Sequence, residues 1–466
     1  MTRIMKFGGT SVGSAEAIRR TAAILEQHHG PEPVVAVVSA MSGVTNLLIE
    51  CGESAVAGDS EVVETARALI LAPHRRVLSE LVPGGERRRQ TSATLGGLVD
   101  EAARLLYSVY VLRELSPRAK DRLVSFGERM SSTIIAAYLS EIGVAAEAVE
   151  ADRLIVTDGA FGNASPELEE TRAKAGSVLN RLLEDGVLPV VTGFFGGTRE
   201  GLTATLGRGG SDFSASILGN ALSASEIWIW TDVDGVMTAD PRIVPGAQTL
   251  ASISYSEATE LAYFGAKVIH PKTMYPAQEL DIPIWIKNTF APDAPGTRIS
   301  SDTDDSKSAK AVAWISGLAV ITVEGRGQLD VSSVTTRIFS AVGRTNANVY
   351  MISQASSQHS VSFIVSGSDC QRVCDALEME FGDDIDHQRV LSITEHREVA
   401  IVAVVGAGMR GTPGVAGRVF ATMGDEGINI VAIAQGSSEL NISFVVDEAN
   451  VSAAVRALHR VFVAGG

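Results

Sequence analysis

Lys6 is followed directly by Phe7-Gly8-Gly9-Thr10-Ser11, an amine set before a pair of glycines. Glycine lets backbone N–H groups come close to an anion, and a lysine at a strand's end adds a compact positive charge. Phosphoryl transfer asks little covalent chemistry of a protein; it asks for cations and N–H groups fixed around the migrating phosphate. The bland alternative is a solvated lysine before a turn. A second glycine run, Leu206-Gly207-Arg208-Gly209-Gly210-Ser211-Asp212, bares the backbone again ahead of a helix expected from Phe213 to Leu222. Ser211 or Asp212 can cap that helix, whose start favours anions. Arg208 offers the planar fork that fits a carboxylate. For Asp212, capping and catalysis need not exclude each other.

Glu128 shares a stripe with Val124, Ser131 and Ile135 on a helix opened by Ser116-Pro117. A carboxylate on an apolar stripe is costly unless paired, so a cation is expected beside it, either a structural arginine or a ligand's ammonium. Thr231-Asp232-Val233-Asp234-Gly235 follows a tryptophan-rich run, at the carboxyl end of a strand where α/β sheets bind ligands. Phe264-Gly265-Ala266-Lys267 adds a second candidate cation. Two further patterns read as structure. Gly406-Ala407-Gly408-Met409-Arg410-Gly411 is a formal dinucleotide fingerprint, but its acid, Asp425, precedes the next strand instead of ending it. Those glycines are expected to shape a turn, or an effector pocket. Cys370 and Cys374, four apart, suit one helix face and read as two small core residues.

These side chains need a scaffold. Ala15 to Gln27 has helical spacing, and Val34 to Val38 is a continuous β-branched run, as in a strand covered on both faces. Similar runs recur at Val187 to Val191, Ile227 to Trp230 and Ile284 to Ile286, separated by helical segments. The expectation for residues 1–298 is an α/β layer, a largely parallel central sheet sandwiched by helices. Residues 299–308 are polar and read as a linker. Beyond it lies an internal repeat. Arg337-Ile338-Phe339 matches Arg418-Val419-Phe420 at an offset of 81 residues, and at that offset Gly343 meets Gly424 and Asn348 meets Asn429. Each copy, 309–396 and 397–466, reads as a ferredoxin-like βαββαβ unit with one bare sheet face, so the two are expected to pack together. The extra run Ala311 to Ile315 can cross over to complete the second copy's sheet.

The chain has 466 residues, suiting about three domains, with 45% hydrophobic and 20% charged residues, an ordinary globular balance. Its net charge of −16 speaks against a nucleic-acid surface but leaves room for a local pocket that takes a nucleotide. Three cysteines are too few for a disulfide framework and point to a reducing compartment. No signal peptide or membrane-length apolar run is visible, so a cytoplasmic protein without membrane partners is expected.

Taken together, Lys6 to Ser11, Ser39 to Leu48, Ser125 to Ser132, Thr205 to Asp212, Thr231 to Gly235 and Phe264 to Pro271 resemble the motifs of the aspartate kinases, in that family's order. The repeats resemble its paired ACT domains. The resemblance implies an amino-acid-kinase fold for 1–298 and transfer of the ATP γ-phosphate to the β-carboxylate of L-aspartate. It assigns catalysis to Lys6, Lys267 and Asp212, with the lysines neutralising phosphoryl charge. Arg208 would clamp the α-carboxylate, Glu128 the α-ammonium, and Thr45 would help position aspartate. Gly8, Gly9, Ser39, Gly209, Gly210, Ser211, Thr231, Asp232 and Arg242 would line the nucleotide site, with Mg²⁺ held mainly by phosphates and no dedicated protein metal site. Some relatives carry Tyr where this chain has Met237.

Ile352, Gln354, Ile433 and Gln435 resemble the effector-binding stretches of threonine-sensitive members. Lysine-sensitive relatives carry an Asp where Tyr350 sits, which favours threonine; Asp330 could serve a cation and points the other way. ACT repeats also imply a homo-oligomer. The chain ends just after the second repeat, so a monofunctional form, without a homoserine dehydrogenase, is expected. The rivals are another kinase of the superfamily and a non-catalytic amino-acid sensor; intact Lys6, Asp212 and glycine loops disfavour the sensor.

Overall fold

The computed structural model describes residues 2–30, 32–265, 269–302, 308–325, 331–354, 360–387 and 390–464. The chain forms two compact units. One comprises Met1–Val236, Ala251–Tyr255 and Val268–Thr303; the other comprises Met237–Leu250, Ser256–Lys267 and Asp304–Gly466.

The strands of the first unit are β1 (Arg3–Phe7), β2 (Val34–Val38), β3 (Ala146–Val149), β4 (Leu188–Thr192), β5 (Phe195–Gly197), β6 (Thr203–Thr205), β7 (Glu226–Thr231), β8 (Ser252–Ser254), β9 (Ile284–Asn288) and β10 (Thr297–Ser300). Eight of them build one sheet in the order β3-β4-β2-β1-β7-β9-β10-β8. Every neighbouring pair described is parallel except β9–β10, so the largely parallel sheet expected from the apolar runs is found. β5 and β6 form a separate antiparallel hairpin.

Alternation along the strands feeds a layer on each face. Met5, Phe7, Ala36 and Val38 are buried in the core formed with helices α1 (Ala15–His29), α2 (Val44–Ala57), α3 (Ser60–Leu81), α4 (Gly85–Leu112) and α5 (Pro117–Glu141). On the other face, helix α6 (Leu168–Glu184) packs beside α7 (Gly210–Ala221). α7 is pressed onto the sheet at Gly219, where a Cβ would come within 2.6 Å of Ile227. α5 starts as its sequence predicts, with Ser116 capping Ala119 N and Pro117 in the first turn.

Helix α8 (Tyr255–Tyr263) lies almost wholly in the second unit, and α9 (Pro271–Glu279) in the first. The second unit holds one antiparallel sheet. Its elements are β11 (Ala311–Gly325), α10 (Val331–Arg344), β12 (Val349–Gln354), β13 (Ser360–Ser366), α11 (Cys370–Asp386), β14 (Val390–Val405), α12 (Val415–Asp425), β15 (Ala432–Ala434), β16 (Asn441–Asp447) and α13 (Val451–His459). The strand order is β12-β13-β11-β14-β16-β15. β11 and β14 are long enough to serve both repeats. Leu318 to Glu324 of β11 pairs with β13 of the first repeat, while Ala311 to Ile315 pairs with Val405 to Ile401 of the second. The expected crossover is thus realised, and the repeats join edge to edge through one continuous sheet. The register shifts between Ile315 and Leu318, at Gly317, whose φ of +71° favours glycine.

Each repeat keeps its own core. Ile338, Phe363, Leu377 and Phe381 centre the first, and Val419, Phe444, Val455 and Leu458 the second. The fingerprint-like glycines make a tight turn. A Cβ on Gly406 would lie 2.7 Å from Ala309 Cα, and Ala407 N donates to the buried Glu257 carboxylate. Among the described residues no helix is long and apolar enough to cross a membrane.

Candidate active site

Lys6 ends up in a cleft because β1 is central. β2 and β7 flank it in parallel register, so the segments leaving β1 and β2 at their carboxyl ends lie side by side. Gly8 N donates to Trp230 O and Ser39 N to Phe7 O, which ties the first glycine turn to both neighbours. A Cβ on Gly9 would stand 3.1 Å from Ala40 O, so the two turns touch backbone to backbone.

The cleft measures about 410 Å³. It gathers Lys6, Gly9, Ser39, Thr45, Glu128, Arg208, Gly209, Gly210, Ser211 and Asp212, residues that the sequence scatters over more than 200 positions. Lys6 is only 8% exposed, and its Nζ lies 2.5 Å from Asp212 Oδ1. The ammonium is held at the cleft wall by a carboxylate on the first turn of α7. That helix begins at Gly210, with Gly209 (φ +72°) as a cap without a side chain. Neither Ser211 nor Asp212 caps it, a correction to the sequence expectation. The helix starts three residues early because a left-handed glycine can turn the chain into it, which leaves both side chains free for the cleft.

Glu128 is buried, 3% exposed, on α5. Its Oε1 accepts from Ala40 N at 3.1 Å, and its Oε2 has no hydrogen-bond partner among the described residues. The structural arginine that could have paired with it is engaged elsewhere. Arg129 reaches Glu150 and Asp152, each at 2.5 Å. Burial raises the Glu128 carboxyl to about 8, opposed in part by the Ala40 hydrogen bond and by the charge of Arg129. Gly127 makes the contact feasible, since a Cβ there would lie 2.7 Å from Ala40 Cβ.

Arg208 is exposed at the cleft's edge. Its loop is braced from two sides. Buried Asp121 accepts from Gly162 N and from the backbone and hydroxyl of Thr205, just upstream. Downstream, His270 caps α9 through Lys272 N and packs at Gly209, where a Cβ would come 3.2 Å from the His270 Cβ. Burial, Arg208 and Lys272 together lower the His270 imidazole, in that order.

Some expected residues lie apart or outside view. Thr231 and Asp232 sit at the end of β7, bonded to each other, and do not line this cleft. Arg242 belongs to the second unit and pairs with Asp240. Lys267 and Asp330 fall outside the described residues. Ile352 and Ile433 occupy matching places, opposite Phe363 and Phe444, on the two edge strands, and are about half exposed, with Gln354 and Gln435 also exposed. Seven lining residues were not among the expected site residues: Ala40, Met41, Ser42, Gly43, Asn46, Phe194 and Gly207. Phe194 has φ +76°, uncommon for a bulky residue and a mark of strain held by its surroundings. The only signal was its place, one residue past Gly193 at the end of β4. Among the described residues, no group of three acidic, His or Cys ligands converges in this cleft.

Comparison with known proteins places this geometry in context. Residues 1–288 match the amino acid kinase family, and residues 321–381 and 402–462 each match an ACT domain. The two ACT matches start 81 residues apart, the offset of the internal repeat. The chain is 36% identical to the chloroplastic aspartokinase 3 of Arabidopsis thaliana, over 99% of this chain and 82% of the relative. It is also 36% identical to a bifunctional aspartokinase/homoserine dehydrogenase of that plant, over 98% of this chain. It spans about half the length (51%) of that bifunctional relative. Two solved structures of E. coli aspartokinase III, one with aspartate and ADP (R-state) and one with lysine and aspartate (T-state), superpose with TM-scores of 0.80 and 0.82. Each is 30% identical, with 99% of both chains covered.

Proposed function

Since the chain belongs to the amino acid kinase family, among its aspartokinases, we propose that it transfers the γ-phosphate of ATP to the β-carboxylate of L-aspartate. The products are 4-phospho-L-aspartate and ADP, the opening step toward lysine, threonine, methionine and isoleucine. The observation that carries this reading is the meeting, in one cleft, of the Lys6–Asp212 pair, the Arg208 loop and a buried Glu128 oxygen with no partner among the described residues.

A β-carboxylate oxygen attacks the γ-phosphorus as the bond to the β,γ-bridging oxygen breaks, and ADP leaves with that electron pair. Charge on the migrating group is met by Lys6, held in place by Asp212, and by N–H groups at the start of α7. Lys267 is proposed as a second cation. Arg208 takes the α-carboxylate, Thr45 helps to seat aspartate, and Glu128 receives the α-ammonium, the missing cation of its buried site. Gly8, Gly9, Ser39, Gly209, Gly210, Ser211, Thr231, Asp232 and Arg242 are assigned to the nucleotide. Mg²⁺ would be held mainly by the ATP phosphates and would help to neutralise their charge.

For the ACT repeats we propose end-product control and joining of two copies. Threonine is favoured over lysine because Tyr350, rather than a carboxylate, stands next to the Ile352–Gln354 stretch.

An acceptor panel tests the activity. With ATP and hydroxylamine, aspartate should give the hydroxamate, whereas glutamate and acetylglutamate should not. ADP release driven by another acceptor, or by none of the panel, would refute the assignment. Arg208→Ala should raise the KM for aspartate about tenfold or more with a smaller change in kcat. An unchanged aspartate KM would remove the clamp role.

A further inference from the structure

The first repeat contains a cluster that the kinase reading leaves unused. Cys370 opens α11 and Cys374 follows one turn later on the same face, both buried. Opposite them on β14 stands Glu395. Its Oε2 lies 3.1 Å from the Cys370 Sγ and 3.8 Å from the Cys374 Sγ, and the three ligand atoms lie within 4.8 Å of one another. Two core cysteines chosen only for size would not need a carboxylate reaching both sulfurs. We propose that Cys370, Cys374 and Glu395 bind a Zn²⁺ ion that fastens α11 to β14.

The dimensions fit. Tetrahedral zinc with bonds of about 2.3 Å to sulfur and about 2.1 Å to oxygen sets S···O edges near ~3.6 Å, between the two distances seen. To reach that edge the Cys370 Sγ···Oε2 distance would lengthen by about 0.5 Å and the Cys374 Sγ···Oε2 distance would shorten by about 0.2 Å. Two thiolates and a carboxylate leave one excess negative charge around a divalent ion, and Arg397 supplies the balance. Its guanidinium bonds Glu395 at 2.9 and 2.8 Å and is itself held by Gln371. Such an outer partner fixes the ligand carboxylate's orientation. The Glu395 side chain is 40% exposed, which gives the ion an entrance and leaves a fourth position for water. On binding, the two S–H protons pass to solvent and two Zn–S bonds form.

Co²⁺ serves as a spectroscopic probe on the reduced, full-length protein. One equivalent should give thiolate-to-cobalt charge transfer with tetrahedral d–d bands, and Zn²⁺ should displace it. Arg397→Gln should weaken binding by about 10- to 100-fold. Glu395→Gln should weaken it at least as much, and Cys370→Ser or Cys374→Ser should abolish the charge-transfer band. Cys51→Ser should change nothing. The proposal fails if one equivalent of Co²⁺ gives no thiolate band, or if Cys51→Ser removes it. It fails equally if Glu395→Gln and Arg397→Gln both leave affinity unaltered; these exposed substitutions decide the matter should either serine variant not fold.

Discussion

At the scale of single residues, Glu128 carries the most chemical information. Below about pH 8 its buried carboxyl is protonated in the free protein, whereas in the unfolded chain it ionises near its ordinary value. The folded state therefore binds more protons between roughly pH 4.5 and 8, and this group's contribution to stability falls as pH rises through that window. An ammonium at Oε2 would reverse the balance. Aspartate binding at pH 7 is accordingly expected to release close to one proton, vanishing well above pH 8. Calorimetry in buffers of different ionisation enthalpy measures that number, and a value near zero at pH 7 would remove the ammonium role. Glu128→Gln keeps the acceptor for Ala40 N, so it should fold, flatten the pH dependence of Tm and lose the proton release. Lys6→Ala should lower kcat by ~1,000-fold or more, with circular dichroism unchanged, because no other described cation takes its place beside Asp212. Near-normal turnover would sink the catalytic assignment. Glu128 was legible as a misfit on an apolar stripe. Its hydrogen-bond partner was not, since Ala40 lies 88 positions away and only the parallel sheet brings it near.

At the scale of elements, the site depends on close approaches of backbone. Gly127 lets α5 press on the Ala40 turn, and the Cβ of Gly127→Ala would have to displace it. Overpacking of this kind costs about 1–3 kcal/mol. The expected readout is a lower Tm together with a several-fold higher KM for aspartate, because Glu128 moves with the helix. A Tm loss without any change in KM would mean that the turn and the site are uncoupled. The long buried strands were readable from their β-branched runs, which leave few alternatives to a covered parallel sheet. The start of α7 was not. Ser and Asp are strong caps by type, yet Gly209 took the turn in the left-handed region and advanced the helix to Gly210. The short β5–β6 hairpin and strained Phe194 also escaped, for their conformations are imposed by neighbours rather than by local preference.

At the scale of the whole molecule, the proposed end-product control is tested at the repeats. The full-length enzyme, assayed with threonine and with lysine separately, should be inhibited by threonine. Gln354→Ala and Gln435→Ala should each shift half-inhibition about tenfold, the loss of roughly one good hydrogen bond. Inhibition by lysine alone would overturn the preference, and binding of neither would restrict the repeats to assembly. The duplication was legible residue by residue at its offset of 81, and so was the errant strand Ala311 to Ile315. What repetition could not disclose was that β11 and β14 each run through both copies, because nothing in a repeat's own pattern marks where its strand should stop.

Those shared strands bear on inheritance. A recombination joining one repeat of this protein to the other repeat of a cousin would splice within or between β11 and β14, and so would mix two ancestries along a single hydrogen-bonded ladder. Exchange of the pair as one cassette avoids that seam. In breeding or engineering kinases with altered feedback, the two repeats should therefore travel together, and swaps of a single repeat should yield far fewer folded chimaeras.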